Sequence, residues 1–474
     1  MPMQEPPQTA PGGLPLGVNL AGYLDSVLGV GQVARQVRDA LTAAGVAVAP
    51  FTVVADSAPR IRGGEPKRAS GRLHPVNLVC VNPDGLEGAH DSLGEDFFRG
   101  RHTIGLWWWE VDAFPDAFRR AFDLVDEVWA GSHHVADALA AVSPVPVVRM
   151  PVPVEAEPSS GAGREQLGLP SGGPLFLFAF DHGAGFERKN PLGAIEGFTR
   201  AFGPDAGPRL VVKCIGAQER PEAHRRLLDA ADPHDHVHVL DTSLSPPDMA
   251  ALFEACDVYL SLHRSEGFGL TIAEAMLRGK PVVATAYSGP RDWLSERNSF
   301  EVDWREVPIG PGNEPYPAEG TWAEPDLDDA AALLRRVVNE PDEARRRAER
   351  GRDDVQAAFS AEAAGGAMAA RLARVAGLPL GANGAGSSLD VAEALRRVRG
   401  EPPEPGPDAP LRPLRMPLRR ALLRLSRPQA THQRLVDEEL VRLVQTLDER
   451  VEGLARGQTS LRAELEDIKR QLDR

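Results

Sequence analysis

Short apolar runs alternate along the chain with longer stretches of helical periodicity. In residues 257–290, the apolar run 258–262 is followed by a glycine-rich loop, a helix-forming stretch and a second apolar run at 281–285. Gly279 stands where a helix ends in a left-handed residue, and Pro281 prevents its continuation. This pattern predicts a right-handed βαβ unit with parallel strands. Because ligands of such sheets bind beyond the carboxyl ends of the strands, we expect a binding site in the loops that follow these runs.

Similar apolar runs occur in both halves of the chain. They predict strands at residues 16–20, 76–82, 103–110, 145–154, 174–180, 209–216 and 236–242, and helices at 32–44, 191–202 and 340–376. A chain of 474 residues is too long for one ordinary core, so two α/β domains are expected. We place them at residues 15–155 and 156–376, with an acidic, Ser/Gly-rich linker just after residue 154.

Two glutamates flank the glycine-rich turn of the first βαβ unit. Glu266 lies in the loop, and Glu274 lies about two helical turns further on, since an α-helix rises roughly 1.5 Å per residue. Between them, a helix N-terminus exposes backbone N–H groups, which attract phosphate. This layout fits a sugar nucleotide, with Glu266 accepting hydrogen bonds from the sugar and Glu274 from the ribose. An ordinary turn with two solvated glutamates is the alternative, because this spacing alone is weak evidence in so acidic a chain.

The whole string is more specific than its two glutamates. Glu266-Gly-Phe-Gly-Leu, Glu274-Ala-Met, Gly279-Lys-Pro-Val-Val-Ala and Ser288-Gly resemble the E-x7-E signature of retaining GT-B glycosyltransferases of the group 1 (family 4) type. The resemblance implies an α/β, GT-B fold, in which two Rossmann-like domains face a central cleft that holds a nucleotide-sugar donor. It also places further matched residues in substrate binding, namely Gly267, Phe268, Gly269, Leu270 and Ser288.

The first domain offers two further candidate binding segments. Gly29 and Gly31 follow the first predicted strand, where they serve either a tight turn or the close approach of an acceptor or of donor phosphates. Trp109 and Glu110 end a later strand, and an aromatic face with a carboxylate suits a sugar, although core packing is the alternative for the tryptophans. Members of the resembling family often carry a histidine near this position, and this chain has Trp-Trp-Glu there.

In the second domain, Arg188 and Lys189 precede a helix that Asn190 caps and Pro191 begins. Cations there oppose the helix dipole unless an anion binds, so we interpret the pair as a diphosphate clamp, with a solvated basic turn as the alternative. By resemblance, Lys189 falls on the family's donor-phosphate lysine. The family's arginine a few residues earlier is replaced by Asp181-His182. The loop at Thr242 corresponds to the family's nucleotide-base site.

No metal or cofactor is expected. His236 and His238 lack a neighbouring ligand and suit an edge strand, and residues 326–329 suit helix capping better than metal binding. The three cysteines read as reduced core residues of a cytoplasmic protein. A net charge of −15 argues against nucleic acid as a partner, and no stretch has the composition of a signal or a membrane span.

The ends of the chain have their own composition. Residues 1–14 are Pro- and Gly-rich and predicted disordered, and residues 377–430 contain a linker and a basic segment. Within that segment, residues 411–427 suit either an anionic membrane surface at the inner membrane face or an acidic protein surface. Residues 431–474 carry a heptad seam, which favours a homo-oligomer held by a C-terminal coiled coil over a helix docked on its own chain.

The function expected from these features is retaining, metal-independent glycosyl transfer. The donor would be a nucleotide-diphosphate sugar and the acceptor a glycan or lipid-linked molecule, as in cell-surface polysaccharide synthesis. The alternative is a sugar-nucleotide-binding or scaffold subunit with weakened turnover, which the departures from the family pattern motivate. A sugar-nucleotide epimerase on the same fold fits less well, because those enzymes lack the E-x7-E string.

Overall fold

Six parallel strands form the first sheet, in the order β2-β1-β3-β4-β5-β6. They are β1 (Gly17–Gly22), β2 (Ala47–Thr52), β3 (Val76–Cys80), β4 (His102–Trp107), β5 (Glu127–Ala130) and β6 (Val147–Arg149). Its helices are α1 (Gly29–Ala43), α2 (Pro83–Leu93), α3 (Glu95–Phe98) and α4 (His133–Ala140), with a 3₁₀-helix at Asp116–Leu124. Strands such as β3 are buried along their whole length, as expected where helices cover both faces of a parallel sheet.

A second parallel sheet follows, in the order β12-β11-β10-β7-β8-β9. Its strands are β7 (Leu175–Asp181), β8 (Arg209–Ile215), β9 (Val237–Asp241), β10 (Val258–Ser261), β11 (Val282–Thr285) and β12 (Phe300–Val302). The helices that follow β7 to β10 are α5 (Phe186–Lys189), α6 (Pro191–Ala201), α7 (Pro221–Ala231), α8 (Pro246–Ala255) and α9 (Leu270–Leu277). Short 3₁₀-helices lie at His182–Ala184, Pro204–Ala206 and Gly289–Asp292.

The chain then adds a hairpin and three helices. They are the antiparallel strands β13 (Trp304–Pro308) and β14 (Thr321–Pro325), then α10 (Leu327–Asn339), α11 (Pro341–Phe359) and α12 (Ala361–Val375). Although the predicted second domain extends to residue 376, α12 packs against α1 of the first sheet, where Gly365 meets the Ala40 carbonyl. The predicted helix at 340–376 is interrupted because Ser360 is extended and caps α12 by accepting a hydrogen bond from Ala363 N.

Local sequence explains other element boundaries. Asp326 accepts hydrogen bonds from the backbone N–H groups of Asp328 and Asp329, so this acidic cluster caps α10 as expected. The predicted strand 103–110 ends at Trp107, whose side chain shares one core cluster with Trp109, whereas Trp108 belongs to another. Gly279 has a φ of +66°, the left-handed conformation that the stop signal after α9 requires.

The computed structural model describes residues 16–26, 29–53 and 73–376. The predicted disordered N-terminus (1–14), the linker and basic segment (377–430) and the coiled coil (431–474) lie outside them. Among the described residues, no helix combines the length and apolar character needed to cross a membrane.

Candidate active site

The carboxyl ends of both sheets face a cavity of about 1230 Å³. From the first sheet, its walls include the segments after β1, β3 and β4; from the second, the segments after β7, β8, β9 and β10. In the second sheet, neighbouring strands β7 and β10 mark the point where the strand order reverses. Such a switch point opens a crevice between the two following loops, which is where α/β sheets bind ligands.

A buried ion cluster lies at this switch point. Glu266, after β10, forms ion pairs with Lys189 and, at 3.3 Å, with Arg188, both of which follow β7. Burial alone would raise the pKa of Glu266, but Lys189 and Arg188 outweigh it and lower the pKa to about 2. Glu266 is therefore ionised throughout the neutral range and presents acceptor oxygens at the cavity wall.

The loop that carries Glu266 is held by tight backbone packing. Ser288 accepts a hydrogen bond from Glu266 N at 2.8 Å and donates one to the Tyr287 carbonyl at 2.7 Å. Gly269 is the N-cap residue of α9 and has a φ of +86°, and a Cβ on Gly289 would lie 2.1 Å from the Gly267 carbonyl oxygen. Both glycines are thus required for the shape of this loop.

The two cations of the predicted clamp have different surroundings. Arg188 is buried and donates to the carbonyl oxygens of Ala184 (2.7 Å) and Ser265 (2.7 Å). Burial disfavours its charge, yet the nearby carboxylates Glu110 and Glu266 help to raise its pKa overall. Lys189 is partly exposed at the cavity wall. Arg188 therefore supports the loop and the charge of Glu266, and Lys189 is the cation with access to a ligand.

Glu274 lies elsewhere on the cavity wall, on α9. Its carboxylate accepts a 2.5 Å hydrogen bond from Gln32 Nε2 on α1, so it joins the two sheets. Burial raises the pKa of Glu274 to about 7, against the opposing effects of Gln32 and Arg278. The two glutamates of the motif thus differ in protonation near neutral pH.

The first sheet contributes an aromatic and acidic wall. Trp108, Trp109 and Glu110 all line the cavity. Trp109 is nevertheless buried and donates from its indole to the Ala113 carbonyl, so it packs as a core residue whose edge reaches the cavity. Glu110 accepts a 2.9 Å hydrogen bond from Tyr316, which belongs to the loop between β13 and β14. The β13–β14 hairpin therefore sets the position of Glu110.

Several residues that the sequence predicted for the site do not line the cavity. Gly31 lies against the Tyr23 carbonyl, and Phe268 packs between the rings of Trp108, Trp293 and Phe359. Packing explains both placements, because Gly31 and Phe268 each support a segment whose neighbouring residues face the cavity. Four further residues that were predicted for the site also do not line the cavity, namely Thr242, Gly267, Gly269 and Ser288. Gly29 and Leu270, which were predicted as well, do line it.

The structure adds residues that sequence reasoning missed. Gln32 and Tyr316 reach the site from distant elements, and Lys213 lines it with its ammonium donating to the Cys214 carbonyl at 2.9 Å. His263 is buried beside the cluster, where burial lowers its pKa to about 4. At the position of the family's arginine, Asp181 accepts a hydrogen bond from Gly183 N and His182 is buried. Of these residues, Gln32 directly follows Gly31 and His263 lies three positions before Glu266, so both stand close to predicted site residues in the sequence.

Two Rossmann-like sheets whose carboxyl ends share one cavity, with the E-x7-E glutamates in its wall, define a GT-B fold. Residues 162–354 match the family model described as glycosyl transferases group 1. The resemblance to group 1 glycosyltransferases is thus confirmed for the segment that contains the second sheet, the hairpin, α10 and most of α11.

Curated relatives match part of the chain. A D-inositol 3-phosphate glycosyltransferase of Xylanimonas cellulosilytica is 37% identical over 159 residues, which cover 32% of this chain and 36% of the relative. Its counterpart in Streptomyces coelicolor is 30% identical over 157 residues, covering 31% of this chain and 33% of the relative. The chain thus spans about a third of the length of the curated relatives that it matches.

Solved structures resemble the fold over a longer stretch. Sucrose-phosphate synthase (tll1590) from Thermosynechococcus elongatus aligns with a TM-score of 0.54 at 18% identity, covering 76% of this chain and 98% of that structure. Anabaena Alr3699/HepE, in complex with UDP and glucose, aligns with a TM-score of 0.53 at 15% identity, covering 76% of this chain and 100% of that structure. At these identities the likeness establishes the fold.

Proposed function

We propose that this protein is a retaining glycosyltransferase that transfers a sugar from a nucleotide-diphosphate sugar to a hydroxyl group of a glycan or lipid-linked acceptor. The observation that carries the proposal is the contact between Lys189 and Glu266 at the switch point of the second sheet. It joins a partly exposed cation to an ionised acceptor, beside the N-terminus of α9 and within the segment that matches the family model.

The donor would lie along this wall. Its diphosphate would be bound by Lys189 and the positive end of the α9 dipole. Its ribose hydroxyls would donate to Glu274, and its sugar hydroxyls to Glu266. Support comes from the comparisons: the curated relatives are named as glycosyltransferases, and the HepE structure holds UDP with glucose.

The chemistry follows from where charge develops. When the bond from the sugar to the diphosphate breaks, negative charge grows on the departing phosphate, and Lys189 stabilises it more in the transition state than in the ground state. Glu266, ionised at all working pH values, orients the sugar. The acceptor would attack from the face that the diphosphate leaves, which preserves the anomeric configuration, and the departing phosphate takes the proton of the acceptor hydroxyl. No protein nucleophile and no metal ion is assigned to this step.

A second candidate is a subunit that binds a sugar nucleotide with little turnover. It is favoured by the position of the Arg188 guanidinium, which is committed to Ala184, Ser265 and Glu266. If the arginine holds only the protein, one lysine carries the phosphate charge that two cations would otherwise share.

Turnover of purified full-length protein tests both candidates. We would incubate it with a panel of nucleotide-diphosphate sugars, follow release of the nucleoside diphosphate, and determine the anomeric configuration of the product by NMR. Lys189→Ala should slow release by about 10²–10³-fold. Lys280→Ala is the matched control, because Lys280 donates to the Glu254 carbonyl and does not line the cavity.

The outcomes separate the candidates. Donor binding by calorimetry without turnover would establish the binding subunit instead of the enzyme. An inverted product would refute the assigned geometry of attack. Equal activity in Lys189→Ala and Lys280→Ala would remove Lys189 from the mechanism.

A further inference from the structure

Three side chains with metal-ligating atoms converge beside the candidate active site. His182, Cys214 and His224 each offer one such atom, and all three atoms lie within 4.8 Å of one another. The facing ring nitrogens, Nε2 of His182 and Nδ1 of His224, are 3.3 Å apart. His182 and Cys214 are fully buried, and His224 is about one-fifth exposed.

The fold brings these ligands together from three separate elements. His182 follows β7, Cys214 lies near the end of the neighbouring strand β8, and His224 lies on the first turn of α7. Because the three positions are distant along the chain, no local spacing signals them, and sequence reasoning assigned Cys214 to the core.

We propose that His182, Cys214 and His224 bind a divalent transition-metal ion, with zinc as the metal that this ligand set suits best. One thiolate with two imidazoles is a soft and borderline donor set that selects zinc over magnesium or calcium. Three protein ligands leave a fourth tetrahedral position for water or another ligand. On binding, the thiol of Cys214 loses its proton to solvent and its sulfur becomes the anionic ligand.

The surroundings of the cluster agree with a bound cation. Asp241 on β9 places one carboxylate oxygen 3.8 Å from Cys214 Sγ and the other 3.7 Å from His224 Nε2. A carboxylate behind a ligating histidine is the usual outer partner of a zinc ligand, since it fixes the ring orientation. Asp241 and Glu219 are also the acidic groups whose charges act on His182.

The position of α7 explains what such an ion would do. Of the eleven residues of α7, only Leu227 and Ala231 are buried, and both lie in its second half. His224 is near the other end, so a metal bond through it would attach the weakly packed first turn to β7 and β8. The ion would therefore tether α7 to the second sheet, and this effect does not depend on the proposed sugar transfer.

Cobalt substitution tests the site in the full-length protein. Metal content is measured first by elemental analysis of protein purified without chelators. The protein is then stripped and titrated with Co²⁺, which absorbs in the near ultraviolet when a thiolate binds it. Wild type should bind one equivalent and show this band. Cys214→Ala should lose the band and bind at least about 100-fold more weakly, a larger effect than loss of an outer-shell partner.

Two further variants keep the test decisive. Cys256→Ala removes another buried thiol, outside the cluster, and should keep the band. His224→Gln changes a partly exposed side chain, so it should fold, and it should weaken Co²⁺ binding comparably. Saturating Zn²⁺ should raise the Tm of the stripped wild type by roughly 5 °C and leave that of Cys214→Ala unchanged. A wild type that binds Co²⁺ without the band, or no more tightly than Cys214→Ala, overturns the proposal.

Discussion

The two glutamates of the same motif lie in opposite electrostatic environments. Glu266 is buried against Lys189 and Arg188, and its pKa falls to about 2. Glu274 is equally buried, but it accepts a hydrogen bond from the neutral amide of Gln32, and burial raises its pKa to about 7. Burial acts in the same direction on both groups, so the difference comes from the charged neighbours.

The difference in pKa gives Glu266 and Glu274 different roles in binding. An always-ionised Glu266 is a fixed acceptor and a fixed counter-charge for the cations that face the phosphate. Glu274 is near half-protonation at neutral pH, so its affinity for a hydroxyl donor depends on pH. A spacing of eight positions therefore joins one pH-independent acceptor to one that titrates.

The two shifts also have opposite consequences for folding. The lowered pKa of Glu266 contributes stability above its unfolded pKa, about 4.5, and this is lost as the pH falls towards 2. The raised pKa of Glu274 means that the native state binds the extra proton between pH 4.5 and about 7, so stability falls as the pH rises through that range.

Replacing Glu266 should have the largest effect. Glu266→Gln removes the counter-charge of a buried arginine and its neighbouring lysine, so the free energy of unfolding at pH 7 should fall by about 3–5 kcal/mol. Urea denaturation measures it. Glu254→Gln is the control, because its ion pair with Arg278 is half exposed on the Glu254 side and should change stability by less than about 1 kcal/mol. Equal losses in both variants would contradict the contrast.

The corresponding substitution of Glu274 should instead increase the stability of the protein. Glu274→Gln keeps an oxygen that accepts from Gln32 and removes a charge that burial disfavours. At pH 8 it should raise the free energy of unfolding by roughly 1–3 kcal/mol, while weakening donor binding because ribose hydroxyls lose a charged acceptor. Denaturation and calorimetry measure the two effects, and destabilisation at pH 8 would show that Glu274 is not held near neutrality.

The smallest expected effect is a change in donor affinity with pH. If donor binding requires the carboxylate of Glu274, the Kd for a nucleotide-diphosphate sugar should fall by about tenfold between pH 6 and pH 8, since the group ionises with a pKa of about 7. In Glu274→Gln, the Kd should not change between pH 6 and pH 8, because the group that titrates has been removed. Calorimetry across this range is the measurement. An unchanged wild-type profile would exclude Glu274 from donor recognition.

Local signals in the sequence were sufficient to predict most of the second sheet. The left-handed Gly279, the Asn190 cap and the Asp326 cap all occur as expected, because each depends on residues within one turn. The break at Ser360 and the return of α12 to the first sheet were missed. Helix-forming residues continue through the break, and packing on α1 depends on residues more than 300 positions away.

Residues of the candidate site were likewise predictable only where a local sequence signal marks them. Glu266, Glu274 and Lys189 were found because they lie in or next to recognisable strings, and all three line the cavity. The support roles of Arg188 and Phe268 were not predictable, because side-chain burial depends on what packs above the loop. Tyr316 had no signal at all, and the position of Gln32 directly after Gly31 did not reveal its contact with Glu274, because both contacts join elements that are far apart along the chain.

The hairpin β13–β14 has a consequence for how this architecture can be taken apart. Its residues Ile309 and Trp322 pack within the apolar cluster of the first sheet, and Thr321 hydrogen-bonds to Asp112 there. Together with α12, it means that the first half of the molecule is completed by segments encoded after the second sheet. Exchanging the donor-binding half between homologues at a single crossover point would leave two unmatched apolar surfaces. Recombination that preserves folding must therefore move the hairpin and α12 with the first sheet.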